Sequence, residues 1–526
     1  MKNKFLNKFL LLLIIFLITY GLTVDAQNIA SKEIDQLVEQ TMKAFQVPGI
    51  AVSIVKDGKI YFSKEYGVRS LSSAEKVDEM TLFAIASNTK AFTTASIGIL
   101  VDEGKIQWDD KVVQYIPEFR MYNDYVTQEF TIRDLLTHRS GLGLGAGDLM
   151  FFPDSADFTM DDIIHNLRFL KPVSDFRTKY DYDNLLYMVA GEVVARVTGN
   201  SWGEFVEERI LETLGMDKSA ASYHRLKDKS NVIDAHAVVE EDLRVIPRYT
   251  RDIGLSSGGI YSNVEELSKW VLMHLNHGKY GENLKNKLFS EEIQEEMWTP
   301  HTVIPVKSPG AYNTHFRSYG LGWYINDVKG YKEMSHTGGL PGMVSQVTIL
   351  PELDLGIIVL TNQQSGAAFT AITNQIKDHY LGIKGNDWVK VLKKQVDAQQ
   401  EYADKVTGEV WSSIEKQINN NDAKPVHKNI TGTYKDDWFG EVYISSIEDK
   451  LWFRSQRSPK LTGELIYFKD NTFIVKWIDR SMEADAFVYF ERDENGRASG
   501  ITMKPVSPLT DFSYDFQDLD FVRVKD

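Results

Sequence analysis

Polar and apolar positions change their period several times along this chain, and each change marks a different kind of structure. Positions 31–45 alternate at helical spacing and predict an amphipathic helix. Positions 49–58 and 59–64 are apolar and β-branched on either side of Asp57-Gly58, which predicts a β-hairpin. From 87 to about 275 the pattern is mostly helical, interrupted by Gly- and Pro-containing loops. Strand-like runs return at 319–325, 331–335, 345–350 and 356–361, and a helix follows from about 367 to 380. Strands at both ends with helices between predict one α+β unit whose sheet is assembled from distant segments.

Beyond Gly385 the pattern changes again. Positions 387–420 are polar and helix-forming, and 419–425 are loop-like. The remainder, 429–524, carries short β-rich runs at 430–434, 441–446, 450–455, 464–468, 472–478, 486–491 and 500–504. Breaks at Glu448-Asp449, Asp470-Asn471 and Asn495-Gly496 space them as in an all-β barrel or sandwich. The expected divisions are a leader at 1–26, a catalytic unit at 27–384, a helical linker at 385–428 and a β domain at 429–526. A polar linker predicts that the catalytic unit folds on its own core.

The leader is read from Lys2, Lys4 and Lys8, an apolar stretch over 9–18, and the small-residue pattern Val24-Asp-Ala26. The apolar stretch is short of the ~20 residues a spanning helix needs. It predicts a secretory signal cleaved after Ala26, no stable membrane insertion afterwards, and a periplasmic or secreted protein of the bacterial envelope. A net charge of −15 with no concentrated basic patch argues against nucleic acid or anionic lipid as partner. With no cysteine there is neither a disulfide nor an acylated cysteine anchor. His274 and His277 are three apart on an apparent helix but lack a third ligand nearby, so they predict an exposed helix end and no metal. No cofactor is expected, and the partner is a small-molecule or short peptide substrate; a homo-oligomer is compatible with the composition.

The candidate chemistry begins at Ser87, with Lys90 three residues later at the start of an apolar run. Residues i and i+3 share a helical face, so the lysine amine can reach the serine hydroxyl. A hydroxyl is a weak nucleophile until a base takes its proton. Lysine among apolar neighbours has its charged form disfavoured and can be that base. At a helix start the Ser87 N–H is also free to meet an oxyanion.

Two further segments complete a pattern: Tyr180-Asp-Tyr182-Asp-Asn184 and Ser335-His336-Thr337-Gly338-Gly339. Ser-x-x-Lys, then Tyr-x-Asn, then His-Thr-Gly, in that order, resembles the serine β-lactamase and penicillin-binding protein superfamily, in its class C β-lactamase-like branch. Supporting matches are 135–142 (Leu-Leu-Thr-His-Arg-Ser-Gly-Leu), 257–262 (Ser-Gly-Gly-Ile-Tyr-Ser) and 319–323 (Tyr-Gly-Leu-Gly-Trp). The resemblance implies an antiparallel sheet flanked by helices plus a helical subdomain, with the serine at their junction. It implies Tyr182 as a proton carrier to the leaving group, acting as a base only if a nearby ammonium lowers its pKa. Asn184 would position Lys90 and bind a substrate amide, and His138 would be structural. Thr337 and Gly338 would line the substrate, and the Gly339 N–H would complete an oxyanion hole with that of Ser87.

His336 stands where true class C β-lactamases carry Lys. A mostly neutral imidazole there weakens the case for β-lactams and free carboxylates, and it predicts better handling of carboxylate substrates near pH 6, where imidazolium forms. The pattern 432–434, 439–442 and Leu451 resembles the lipocalin-like domain appended to some members, which predicts an accessory role in access or assembly. The resulting expectation is a secreted serine hydrolase forming an acyl-enzyme, a peptidase or amidase with D-amino-acid substrates in range. A carboxylesterase, a β-lactamase and a penicillin-binding-like protein without turnover are the alternatives.

Overall fold

The computed structural model describes residues 28–420 and 427–525, so the expected leader at 1–26 lies outside the described residues. Helix α1 (Ser31–Phe45) precedes the hairpin β1 (Gly49–Lys56) and β2 (Lys59–Gly67). Asp57 and Gly58 both take positive φ, 52° and 72°, as the two-residue turn requires. The helical region contains α2 (Thr89–Asp102), α3 (Leu185–Thr198) and α4 (Val264–Leu275). It also contains a hairpin at Ala235–Val239 and Asp242–Ile246 that the periodicity did not signal.

Six more strands complete the sheet: β3 (Thr302–Val303), β4 (Arg317–Tyr319), β5 (Tyr324–Val328), β6 (Tyr331–Leu340), β7 (Met343–Leu350) and β8 (Leu355–Thr361). The order is β2-β1-β8-β7-β6-β5-β4-β3, and β1 pairs antiparallel with β8, so the first and last strands of the sheet in chain order lie side by side. One face packs on α1 and α5 (Gly366–Tyr380), and the other on the helical region.

Positions 319–325 are not one strand. Gly320 to Trp323 turn between β4 and β5, and Gly322 sits at φ 80°. A Cβ there would lie about 3.0 Å from the Lys90 carbonyl oxygen and the Ala91 Cα, so a glycine lets this turn seat on α2. The strand expected over 331–335 continues to Leu340 and carries the His-Thr-Gly segment into the sheet.

The chain then forms α6 (Trp388–Asn420), which buries Ala403 and Ile414 and packs on α5, on α1 and on the barrel. The barrel is closed and antiparallel: β9 (Gly432–Asp436), β10 (Gly440–Ile447), β11 (Lys450–Ser455), β12 (Thr462–Lys469), β13 (Thr472–Trp477), β14 (Ala486–Arg492), β15 (Ala498–Pro505) and β16 (Asp520–Lys525). The eighth strand, β16, closes the barrel between β15 and β9 and was not among the predicted runs.

The expected independent core for the catalytic unit is corrected by the packing. One apolar cluster runs from the helical region into the barrel, with Phe158 against Phe439 and Phe152 against Tyr514. The buried Asn166 amide donates to the Trp438 carbonyl at 2.7 Å, and Arg457 reaches both Asp157 and Asp162. Cutting between the two would expose large aromatic surface on both sides.

Candidate active site

Ser87 lies in a short 3₁₀ turn (Ala86–Asn88) that runs directly into α2. Ala86, just before it, is held at φ 47°, a conformation that costs a non-glycine residue on the order of 1–2 kcal/mol. Several groups hold this turn. The Ile85 N–H donates to the Ile260 carbonyl, Thr89 Oγ1 accepts from the Ile260 N–H, and Ser345 Oγ donates to the Ile85 carbonyl at 2.7 Å. Ser87 is half-buried while its neighbours from Ile85 to Lys90 are buried, so its side chain alone in this stretch faces outward.

Lys90 is fully buried on the first turn of α2. Its Nζ is 3.3 Å from Ser87 Oγ, 2.7 Å from Asn184 Oδ1 and 2.8 Å from the Ser257 carbonyl oxygen. Desolvation lowers its pKa to about 7, against an opposing pull from Asp148 and Asp183. A neutral amine has two hydrogens and one lone pair. Asn184 Oδ1 and the Ser257 carbonyl can only accept, so both hydrogens go to them and the lone pair is left for the Ser87 hydroxyl. The 257–262 and 319–323 segments thus have a physical use: one supplies an acceptor to Lys90, the other seats against its helix.

Tyr182 is also buried, with the Lys90 ammonium position 4.8 Å from its ring centroid. Burial pushes its phenol well above 10, and a hydrogen bond with Ser87 only partly offsets this. The conditional base role for Tyr182 is therefore corrected: the phenol stays protonated and can donate or relay a proton, but it does not become a phenolate. Tyr180 bonds Tyr324 at 2.5 Å and Tyr187 donates to the Leu136 carbonyl, so both are packing residues.

Asn184 Nδ2 donates to Asp148 Oδ2 at 2.8 Å, a carboxyl the sequence reading missed. Asp148 is buried, and desolvation raises its carboxyl well above the usual range. No spacing to the three motifs signals it. His138 accepts from the Asp183 N–H through Nδ1 and packs among Tyr182, Tyr187 and Tyr319, which keeps it neutral.

The structure overturns the expectation for His336. The side chain is 1% exposed. Its Nδ1 donates to the Thr337 carbonyl at 2.6 Å, which leaves Nε2 to accept from the Tyr319 hydroxyl at 3.0 Å. Burial and the nearby Lys90 lower its pKa to about 3, so no imidazolium forms near pH 6. Gly338 is likewise corrected as a substrate-lining residue: an added Cβ would sit 2.1 Å from the Ile85 carbonyl oxygen, so the face of its bare Cα is filled by the turn that carries Ser87. Thr337 and Gly339 are exposed, and nothing crowds the face where a Gly339 Cβ would point. His274 is corrected too. It is buried among Trp270, Trp298 and Trp323 with Nδ1 on Gln294 Oε1, and only His277 is exposed. No group of three or more potential metal ligands occurs among the described residues, nor does any helix long and apolar enough to cross a membrane.

Comparison with known proteins bears on the family and the fold. A family model described as Beta-lactamase matches residues 34–380, and one described as a domain of unknown function (DUF3471) matches 416–523. The Unguisins hydrolase ungD' of Aspergillus campestris is 25% identical over 390 residues, 71% of each chain. The Protein flp of Staphylococcus aureus strain MW2 is 26% identical over 64% of each chain. Among solved structures, the octameric penicillin-binding protein homologue from Pyrococcus abyssi superposes with a TM-score of 0.61 at 21% identity, covering 94% of this chain and all of that one. A class C beta-lactamase gives 0.54 at 19% identity, covering 68% of this chain and 99% of its own. At these identities the two structures speak for the fold.

Proposed function

The chain belongs to the beta-lactamase family, and from that premise we propose that it is a serine peptidase or amidase working through an acyl-enzyme on Ser87. The observation that carries this reading is the disposition of Lys90, whose two hydrogens are engaged by acceptors while its lone pair faces Ser87. In the proposed cycle Lys90 takes the Ser87 proton as Oγ bonds to the substrate carbonyl carbon. The N–H groups of Ser87 and Gly339 hold the oxyanion, each contributing on the order of 3 kcal/mol. Collapse breaks the carbonyl carbon–nitrogen bond, and the proton passes from Lys90, with Tyr182 as relay, to the leaving amine. Water then attacks the ester as its proton goes to Lys90, the Oγ–carbon bond breaks to release the acid, and Lys90 returns the proton to Ser87 Oγ.

Two features support Gly339 and an extended substrate. The turn between β6 and β7 has two residues, so Leu340 and Met343 form its hydrogen-bonded pair and Gly339 falls at the following non-bonded pair. Its N–H then points away from β7. Strand β5 pairs with β6 only as far as Ser335, and among the described residues no strand covers the outer edge of 336–340. A peptide-like chain laid along that edge finds backbone partners and a glycine without a blocking side chain. The neutral, buried His336 offers no charge to a substrate carboxylate, which sets the β-lactam reading behind amides and esters.

The test is a panel of D- and L-aminoacyl nitroanilides, short carboxyl esters and nitrocefin. Aminoacyl amides are expected to give the highest kcat/KM, with nitrocefin lower by on the order of 100-fold. Nitrocefin turnover equal to that of the best amide would overturn the substrate class. Envelope localisation is proposed from residues 1–26 alone; the secreted chain is expected to begin at Gln27, and N-terminal sequencing checks it.

A further inference from the structure

The barrel reaches the proposed machinery through the loop between β15 and β16. Ser513 Oγ donates to Asp148 Oδ2 at 2.9 Å. Asp515 accepts the N–H groups of Gly147 and Leu149, the two residues flanking Asp148, at 2.6 and 3.0 Å. Asp148 Oδ2 also accepts from Asn184 Nδ2, and Asn184 Oδ1 accepts from Lys90 Nζ. Every member of this line is buried. The loop is firmly seated: Phe512 stands edge-on to the Tyr182 ring, and a Cβ on Gly145 would lie 2.7 Å from the Phe512 carbonyl oxygen.

The chemistry of the line turns on which end of each group accepts. An asparagine amide rotated by half a turn would present its NH₂ to Lys90, and the amine would have to use its lone pair there instead of on Ser87. What prevents the rotation is an acceptor at Asp148 Oδ2. The Ser513 hydroxyl donates to the same oxygen, which holds the Asp148 carboxyl with Oδ2 toward the Asn184 NH₂. Asp515 fixes the backbone on both sides of this carboxyl.

We propose that Ser513 and Asp515, carried by the barrel, are positioning residues for Lys90: through Asp148 they set the orientation of the Asn184 amide, and with it the direction in which the amine faces Ser87. The inference rests on the reading of Lys90 as the base. It gives the C-terminal domain a direct part in the reactivity of the nucleophile, beyond the accessory role in access or assembly.

The test uses the full chain and a fluorophosphonate probe, whose phosphorus bonds to Ser87 Oγ as fluoride leaves and the serine proton passes to the base. Saturation kinetics separate the inactivation rate constant from the binding constant KI. Ser513→Ala is expected to lower the rate constant on the order of 10-fold with KI within about 2-fold, because misorientation affects the reactive step and not binding. Ser513→Thr keeps the hydroxyl and is expected to restore the rate constant to within about 2-fold of wild type. Asp515→Asn is isosteric, is expected to show the same split, and carries the test should Ser513→Ala not fold. The proposal is overturned by a wild-type rate constant in Ser513→Ala, by a loss confined to KI, or by Ser513→Thr as slow as the alanine variant at an unchanged melting temperature. Lys90→Ala separates the two readings. Wild-type labelling without Lys90 sinks the base assignment itself, whereas its loss beside a wild-type Ser513→Ala sinks only the positioning role.

Discussion

Ser87→Ala is expected to abolish turnover and covalent labelling, a loss on the order of 10⁶-fold in kcat for substrates that the wild type cleaves. The size follows from covalent catalysis. Without Oγ no acyl-enzyme forms, and only the oxyanion donors and substrate binding remain. The melting temperature should hardly move. The hydroxyl is only half-buried and its side-chain contacts are few, a long 3.3 Å to Lys90 and one with Tyr182, so little native-state energy is lost. Mass mapping of a fluorophosphonate adduct to any serine other than Ser87 would overturn the assignment.

Lys90 should show the second largest effect, on the order of 10²–10⁴-fold in acylation, the range of a lost general base. Lys90→Met is the cleaner variant, since it keeps buried volume that alanine would leave as a cavity. In the wild type the acylation rate should rise with pH through about 7 and level off above it, because only the neutral amine accepts a proton. Asp183 is raised to about 7 by burial and titrates in the same window, so the limb belongs to a coupled pair. Asp183→Asn decides between them. Removing an anion that favours the ammonium should move the limb to lower pH, and its disappearance would assign it to Asp183. The His336 imidazole, at about 3, adds no second limb. Matched acid and methyl ester substrates should therefore share one profile, and an acid-to-ester ratio that rises toward pH 6 would show that His336 is accessible after all.

Much of the candidate site is legible in the linear chain because it depends on local geometry. Ser87 and Lys90 are one helical turn apart, so their contact requires only that α2 form. The apolar residues around them already imply a buried amine. The hairpin at Asp57-Gly58, the helix over Gly366–Tyr380 and the first seven barrel strands are local in the same sense, set by turn residues and by period. The eighth strand was missed because 520–525 is stabilised as a strand only by closing against β9 and β15.

The properties that depend on what surrounds a side chain were decided by the tertiary structure. His336 lies in the expected motif, yet whether its imidazole meets solvent or a wall of tyrosines depends on Tyr319 and Tyr324 from β4 and β5 and on Tyr182 from a distant segment. Burial then moves its pKa away from the range that the sequence position implied. Asp148 carries no motif at all. Its place between Asn184 and Ser513 joins positions 36 and 365 residues away, which no spacing rule can bring together. By itself the sequence determined that Ser87 and Lys90, the proposed nucleophile and base, share one helical turn. Only the packing of sheet, helical region and barrel determined their protonation and aim, because desolvation and hydrogen-bond direction are properties of the assembled interior.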